Sequence, residues 1–327
     1  MNISVIVCTY NRCESLRSAL NSVANSKLSD DVTWEVLVVD NNSSDQTGEV
    51  AKEFCRQYPN RFRYLFERQQ GKSYALNSGI REARGDILAF MDDDVTVETS
   101  WLQHLTAPLA DGDWVGSGGR ILPERTFSLP HWLSSEGPCA LAPLAVFDLG
   151  SDSFDLAEPP FGTNMAFRKK VFERYGGFRT DLGPSPGSEI RSEDTEFGRR
   201  VLSGGGRLRY EPLAVVYHPA PASRLKREYF LAWWFDKARA DVREFGIDPG
   251  ARWSIGGIPL CLFRKFILWT ARWMITFHVS RRFDCKRRVW SVVGSIVEHR
   301  RMARRQGTLT KNTGSNGELV RSPNDKM

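Results

Sequence analysis

The sequence predicts an α/β fold: a mostly parallel sheet with helices on both faces, followed by a C-terminal helical segment that is basic and aromatic. Three observations carry that expectation. Strand-like and helix-like hydrophobic patterns alternate over the first two hundred residues, an order that calls for a parallel sheet covered by helices. Apolar runs end abruptly in acids, most clearly Ile87-Leu88-Ala89-Phe90-Met91 before Asp92, Asp93 and Asp94, as buried strands do where their C-terminal ends meet solvent. The charge is also uneven. The chain carries a formal net charge of +6, yet residues 224–305 alone hold 19 Lys/Arg against 7 Asp/Glu, so its two parts are built differently.

The elements follow in order. Ile3-Ser4-Val5-Ile6-Val7-Cys8 reads as a strand, and Leu16, Leu20 and Val23 share one face of the helix after it. Val36-Leu37-Val38-Val39 is a buried strand ending in Asp40, and Ser44 or Asp45 can cap a helix that runs to about Tyr58. Phe62-Arg63-Tyr64-Leu65-Phe66 alternates as a strand, and residues 72–83 turn Ala75, Leu76, Gly79 and Ile80 inward as a helix. The acid triplet closes the fourth strand. Residues 120–160 contain six prolines and no clear period, and they read as a long connection with short strands folded over the site. Phe161 to Phe167 returns to a strand. Ser192 can cap a helix whose first turn holds Glu193, Asp194 and Glu196, and Gly204-Gly205-Gly206 ends it. Leu213 to Tyr217 is a last strand before His218-Pro219.

The organisation expected is a catalytic-type domain at 1–222, a helical segment at 223–306 and a polar, disordered tail at 307–327. In the helical segment, residues 258–279 are rich in Leu, Phe, Ile and Trp but are broken by Arg264, Lys265 and Arg272. A spanning helix needs about 20 mainly apolar residues. Two readings stay open: a helix lying in the headgroup plane of an anionic membrane, and a helical subdomain packing its aromatic face on the body. The N-terminal residues lack a basic region and a small-residue cleavage site, so no secretory leader is expected. The six cysteines show neither CxxC nor zinc spacing, which suits reduced thiols in a cytoplasmic protein.

Each chemical fragment has a plain alternative as a turn or cap. Thr9-Tyr10-Asn11-Arg12 gathers amides, a hydroxyl and a guanidinium after the first strand, a set suited to phosphate or nucleoside. Asp40 could accept from a base or a ribose hydroxyl. Three adjacent acids repel one another, and Mg²⁺ or Mn²⁺ held with substrate phosphates would relieve that repulsion. Gly71-Lys72-Ser73 resembles the end of a phosphate loop, but the leading glycine would fall on Phe66, and no Gly-x-Gly-x-x-Gly follows the first strand.

Taken together and in order, Thr9-Tyr10-Asn11-Arg12, Asp40 to Asp45, Gly71 to Gly79, Met91 to Asp94, Gly162 to Arg168, Gly176-Gly177-Phe178 and Ser192 to Phe197 resemble the family 2 glycosyltransferases of the GT-A fold over about residues 1–220. The resemblance implies a metal-dependent, inverting transfer of one sugar from a nucleotide-diphosphate donor to a saccharide or lipid-linked saccharide. It places Thr9, Tyr10, Arg12, Asp40, Lys72, Asn77, Asp92 and Asp93 around the nucleotide, and Gly162 and Asn164 beside the donor sugar. It places Mn²⁺ or Mg²⁺ on Asp94 and Asp92, with His218 nearby, and makes Asp194 the base with Glu193 beside it. The chain has Gly198-Arg199-Arg200-Val201-Leu202 where processive members often carry Gln-x-x-Arg-Trp, which points to one sugar per encounter. The setting implied is bacterial cell-surface polysaccharide or glycoconjugate synthesis, in the cytoplasm or peripherally on the inner membrane face through residues 224–305. The competing classes are a non-catalytic nucleotide-sugar binder, which would not need an acid near 194, and a sugar-phosphate nucleotidyltransferase, which would need a glycine-rich loop after the first strand. Nucleic acid is not the expected partner.

Overall fold

The computed structural model describes residues 1–126, 128–134, 140–246 and 253–314. The chain divides into two compact units, Met1–Trp233 and Trp234–Met327. The division falls inside a helix rather than at residue 222. Of the tail expected from 307, residues 315–327 lie outside the described residues, and a helix runs through Gly314.

The first unit is a mixed α/β domain. Strands β1 (Asn2–Thr9), β2 (Thr33–Asp40), β3 (Phe62–Phe66) and β4 (Ile87–Asp92) alternate with helices α1 (Cys13–Ala24), α2 (Thr47–Gln57) and α3 (Lys72–Glu82). The four strands pair in parallel in the order β3-β2-β1-β4. Beyond β4 come the short β5 (Thr96–Val97), helices α4 (Trp101–Thr106) and α5 (Pro108–Asp111), and β6 (Trp114–Pro123). The connection after β6 folds back through an Ile121–Phe147 bridge and the short β7 (Phe154–Asp155). Then follow β8 (Asn164–Arg168), α6 (Lys169–Tyr175), α7 (Glu193–Ser203) and β9 (Arg207–His218). These strands extend the sheet as β4-β8-β6-β9-β5, with β8 antiparallel to both neighbours and β6 parallel to β9. The last strand therefore starts at Arg207, earlier than the expected Leu213, because it pairs with β6 from its beginning.

Alternation along each strand builds two apolar layers. Val5, Val7, Val36, Val38, Ala89 and Met91 face α1, α2 and α4, while Ile6, Leu37, Val39, Leu88 and Phe90 face α3, α6 and α7. In the second layer Phe172 stacks on Phe197 with centroids 4.5 Å apart, and Phe90 meets Phe172 and Phe178. That cluster clamps α7 to the sheet through the fully buried Phe197. Its first turn, which holds Glu193 and Asp194, is thereby fixed against the C-terminal end of β4.

The second unit continues from α8 (Arg227–Phe245) into a two-stranded hairpin, β10 (Ser254–Ile255) and β11 (Ile258–Pro259), and helices α9 (Leu260–Ile275) and α10 (Val279–Gly314). At Gly294 a Cβ would stand 2.3 Å from the Phe235 carbonyl oxygen, so glycine permits that close helix–helix approach. Glu298 is buried between Arg239 (3.0 Å) and Arg243 (2.7 Å). None of the described helices is long and apolar enough to cross a membrane.

Candidate active site

The turns after β1 and β2 interlock. Asn11 adopts a left-handed φ of 51°, which asparagine tolerates, and its Oδ1 accepts from the Ser44 amide at 2.7 Å. The Asn11 amide donates to Ser43 Oγ at 3.0 Å, and the Arg12 amide to Thr47 Oγ1 at 2.9 Å. This clasp holds the Arg12 backbone while its guanidinium reaches the end of β4. Thr9 is buried and Tyr10 is exposed beside it.

The acid triplet is charge-balanced by the chain's own cations. Lys72 Nζ lies 2.7 Å from Asp92 Oδ1 and 3.5 Å from Glu193 Oε1. Arg12 lies 3.3 Å from Asp93 and 2.7 Å from Asp94. Arg224 lies 3.4 Å from Asp94, whose other oxygen is 3.7 Å from His218 Nε2. The repulsion that the bare sequence leaves unbalanced is thus answered by residues up to 130 positions away. Lys72 is placed by its own loop: Gly71, at φ +136°, donates its amide to Asn41 Oδ1 at 2.7 Å and opens α3 directly before it.

These neighbours set the protonation states. Burial pushes the Asp92 carboxyl up, but the ammonium of Lys72 and the Thr163 hydroxyl overcome it and hold the group well below the usual carboxylate range. Burial pushes Asp93 up to about 7, with Arg12 opposing and Asp94 adding to it. Burial likewise raises Glu193, offset in part by Lys72. Burial lowers His218, against Asp94 and helped by Arg224, so its imidazole stays neutral near neutral pH, with the Arg224 guanidinium 3.1 Å from Nε2.

Asp194 stands at the same place. Its Oδ2 accepts from the Gly162 amide at 2.5 Å and its Oδ1 from the Thr195 amide at 2.7 Å. A Cβ on residue 162 would come within 3.0 Å of the Asp194 side chain, so a glycine there lets the backbone approach the carboxylate. Asp92, Gly162, Glu193 and Asp194 line one cavity with Cys8, Lys72 and Met165. At about 10 Å³ it has room for about one water molecule.

The structure gives other expected residues internal partners. Asn164 is fully buried: it accepts from Trp101 Nε1 at 2.8 Å and donates to the carbonyls of Arg120 (3.0 Å) and Ala214 (2.7 Å). Asn77 exchanges two 2.8 Å hydrogen bonds with the backbone of Phe178. Asp40 accepts from Tyr64 and from the Ser43 amide, both at 2.9 Å. Two residues that sequence reasoning did not single out join the cluster. Thr163 donates to Asp92 Oδ2 at 2.7 Å; its place between Gly162 and Asn164 was the only hint. Arg224 lay unmarked among the many cations of its segment.

Among the described residues, no three His, Cys, Asp or Glu side chains converge as a ready-made metal cage. Asp94 Oδ1 and a neutral His218 Nε2, 3.7 Å apart, are donors that Mn²⁺ accepts. That pair fits an ion that completes its shell with substrate phosphates.

Comparison with known proteins gives the family and the fold. Residues 4–176 match the model of the family described as Glycosyl transferase family 2. The chain is 30% identical over 229 residues to Glycosyltransferase AglE of Haloferax volcanii, covering 70% of each chain. It is 26% identical over 250 residues to the Glucosyl-dolichyl phosphate glucuronosyltransferase of the same organism, covering 72% of this chain and 75% of that one. Among solved structures, it is similar in fold to the mannosyltransferase PcManGT from Pyrobaculum calidifontis, determined in complex with GDP-Man and Mn²⁺. That match has a TM-score of 0.53 and 17% identity, over 97% of this chain and 81% of the other.

Proposed function

The chain belongs to glycosyl transferase family 2, and from that premise we propose that it moves one sugar from a nucleotide-diphosphate donor to a hydroxyl acceptor with inversion. One observation carries this reading: Asp194 and the acid at the end of β4 line the same small cavity, with Lys72 bridging Asp92 and Glu193.

The acceptor oxygen forms a bond to the anomeric carbon while the bond from that carbon to the diphosphate oxygen breaks. Its proton passes to Asp194, and the pair of electrons leaves with the nucleoside diphosphate. Asp194 is aimed by the Gly162 and Thr195 amides; general-base help of this kind contributes about 10²–10⁴ in rate. Asp94 and His218, with Asp92 beside them, would hold Mn²⁺ or Mg²⁺, which supplies Lewis-acid relief of charge on the leaving diphosphate. Arg12 and Arg224, at Asp94 in this structure, carry the positive charge that a diphosphate arriving there would meet. Thr9, Tyr10, Asp40, Lys72, Asn77, Asp92 and Asp93 would surround the nucleotide, and Gly162 and Asn164 would border the donor sugar.

The acceptor class is a saccharide or a lipid-linked saccharide, and the setting is cell-surface polysaccharide or glycoconjugate synthesis. A relative named for a dolichyl phosphate-linked substrate supports the lipid-linked form. A lipid-linked acceptor puts the chain at the inner face of a membrane, with residues 224–305 toward it. The test is a thermal-shift panel of nucleotide sugars with and without Mn²⁺, GDP-Man first because PcManGT holds it. A bound donor at 100 times its Kd stabilises by about 2.7 kcal/mol. If no donor shifts unfolding with Mn²⁺ present, the reading fails.

A further inference from the structure

Helix α9 presents two different faces. Leu262, Trp269 and Trp273 are half-buried, and cations of α10 cover the two rings: Arg288 lies 4.5 Å from the centre of Trp269 and Lys286 5.5 Å from that of Trp273. The opposite face repeats Leu260, Phe263, Ile267, Ala271 and Met274, a spacing of three and four that makes one continuous helical stripe. Nothing on α9 is buried. Ile267 is 67% exposed, Met274 65%, Ile275 70% and Phe277, just past the helix, 91%. The hairpin before the helix adds the exposed Trp253 and Ile255 and is tied to it by the Leu260 amide, which donates to the Trp253 carbonyl at 3.0 Å. A run of exposed large apolar side chains at this density marks an interaction surface rather than ordinary solvent-facing scatter.

Charge selects the occupant. Residues 253–283 contain no Asp or Glu but do contain Arg264, Lys265, Arg272, Arg281 and Arg282, all exposed. A second copy docked on this face would set cation against cation. An anionic bilayer supplies apolar depth under the stripe and negative headgroups for its rim. Sixteen residues of helix are about 24 Å long, short of the roughly 30 Å of hydrocarbon that a spanning helix must cross, so the helix lies along the surface.

We infer that the outer face of α9 is a monotopic anchor that lies in the headgroup plane of an anionic membrane, with Ile267, Met274, Ile275 and Phe277 inserted and Arg264, Lys265 and Arg272 at phosphate level. This rests on the membrane-side reading of residues 224–305 and narrows it to one helix face. The inserted residues act with Trp253 at the interface, where aromatic side chains concentrate.

The experiment is flotation of the full chain with phosphatidylcholine vesicles, with and without phosphatidylglycerol, across a salt series. Binding is expected with phosphatidylglycerol and falls as salt rises. The double variant Ile267→Glu/Met274→Glu, on exposed positions, should bind about 100-fold more weakly. Arg264→Ala/Lys265→Ala/Arg272→Ala should lose roughly fivefold per cation on anionic vesicles only. Circular dichroism checks that the variants are folded, and nucleotide-sugar binding measured alongside separates loss of the anchor from failure of the transferase reading. The inference is overturned if the folded wild-type chain does not float. It is equally overturned if wild-type and Ile267→Glu/Met274→Glu chains float alike, or if the wild type is a dimer that this double variant makes monomeric.

Discussion

Replacing Lys72 by Met removes the one ammonium that lies between Asp92 and Glu193, at 2.7 and 3.5 Å. Methionine keeps the apolar stem and drops only the terminal ammonium, so the loss is mainly electrostatic. Breaking a buried ion pair from one side costs about 3–5 kcal/mol, because the remaining charge is left uncompensated. The Glu193 side chain is 4% exposed, but Asp92 is 24% exposed and keeps the Thr163 hydroxyl, so about 3 kcal/mol is expected at neutral pH. The loss depends on pH. In the wild type the Asp92 carboxyl is held below its unfolded value, so its contribution is fully present above about pH 4 and fades as pH falls through the folded value. In the variant, burial without the ammonium raises Asp92 and Glu193, and stability falls as pH rises from about 4 upward. The gap between the two proteins should therefore be small near about pH 4 and widest from about pH 7 upward. Urea unfolding followed by near-ultraviolet circular dichroism measures it, and adding Asp92→Asn should recover part of the loss. A neutral-pH difference under about 1 kcal/mol, constant with pH, would show that the cluster is solvent-screened like a surface pair and would refute the reasoning.

Two further outcomes test the site. Asp194→Asn should slow sugar transfer by about 10²–10⁴ while leaving nucleotide affinity in calorimetry unchanged; near wild-type turnover would remove Asp194 as the base. Asp94→Ala should abolish the Mn²⁺-dependent part of nucleotide binding and leave the Mn²⁺-independent part, since Asp94 is the carboxylate facing His218; equal Mn²⁺ dependence in both proteins would place the ion elsewhere.

The sequence alone determined the strand and helix order from β1 to β4, because hydrophobic periodicity is local and each of those elements writes its own pattern; β5, α4, α5, β6 and α6 left no pattern that was read from it. It also placed the acid triplet at the end of β4, marked by an abrupt change from apolar to acidic residues, and Glu193 and Asp194 at the start of α7, marked by Ser192 before an acidic first turn. The family resemblance rested on those two junctions together with five further segments, from Thr9–Arg12 to Gly176–Phe178. Only the tertiary structure decided which charges meet. Lys72 reaches Asp92 over 20 positions, Arg12 reaches Asp94 over 82 and Arg224 reaches it over 130. Such pairings follow from the sheet order and leave no local trace. Asn164 is a further case: β8 lies between β4 and β6, and its amide joins α4, β6 and β9 in the core. The same holds for α9, whose apolar residues formed a single undivided set in the sequence. Packing on α10 divides them into a covered face and an exposed one, because burial depends on what lies opposite a side chain, and periodicity does not record that.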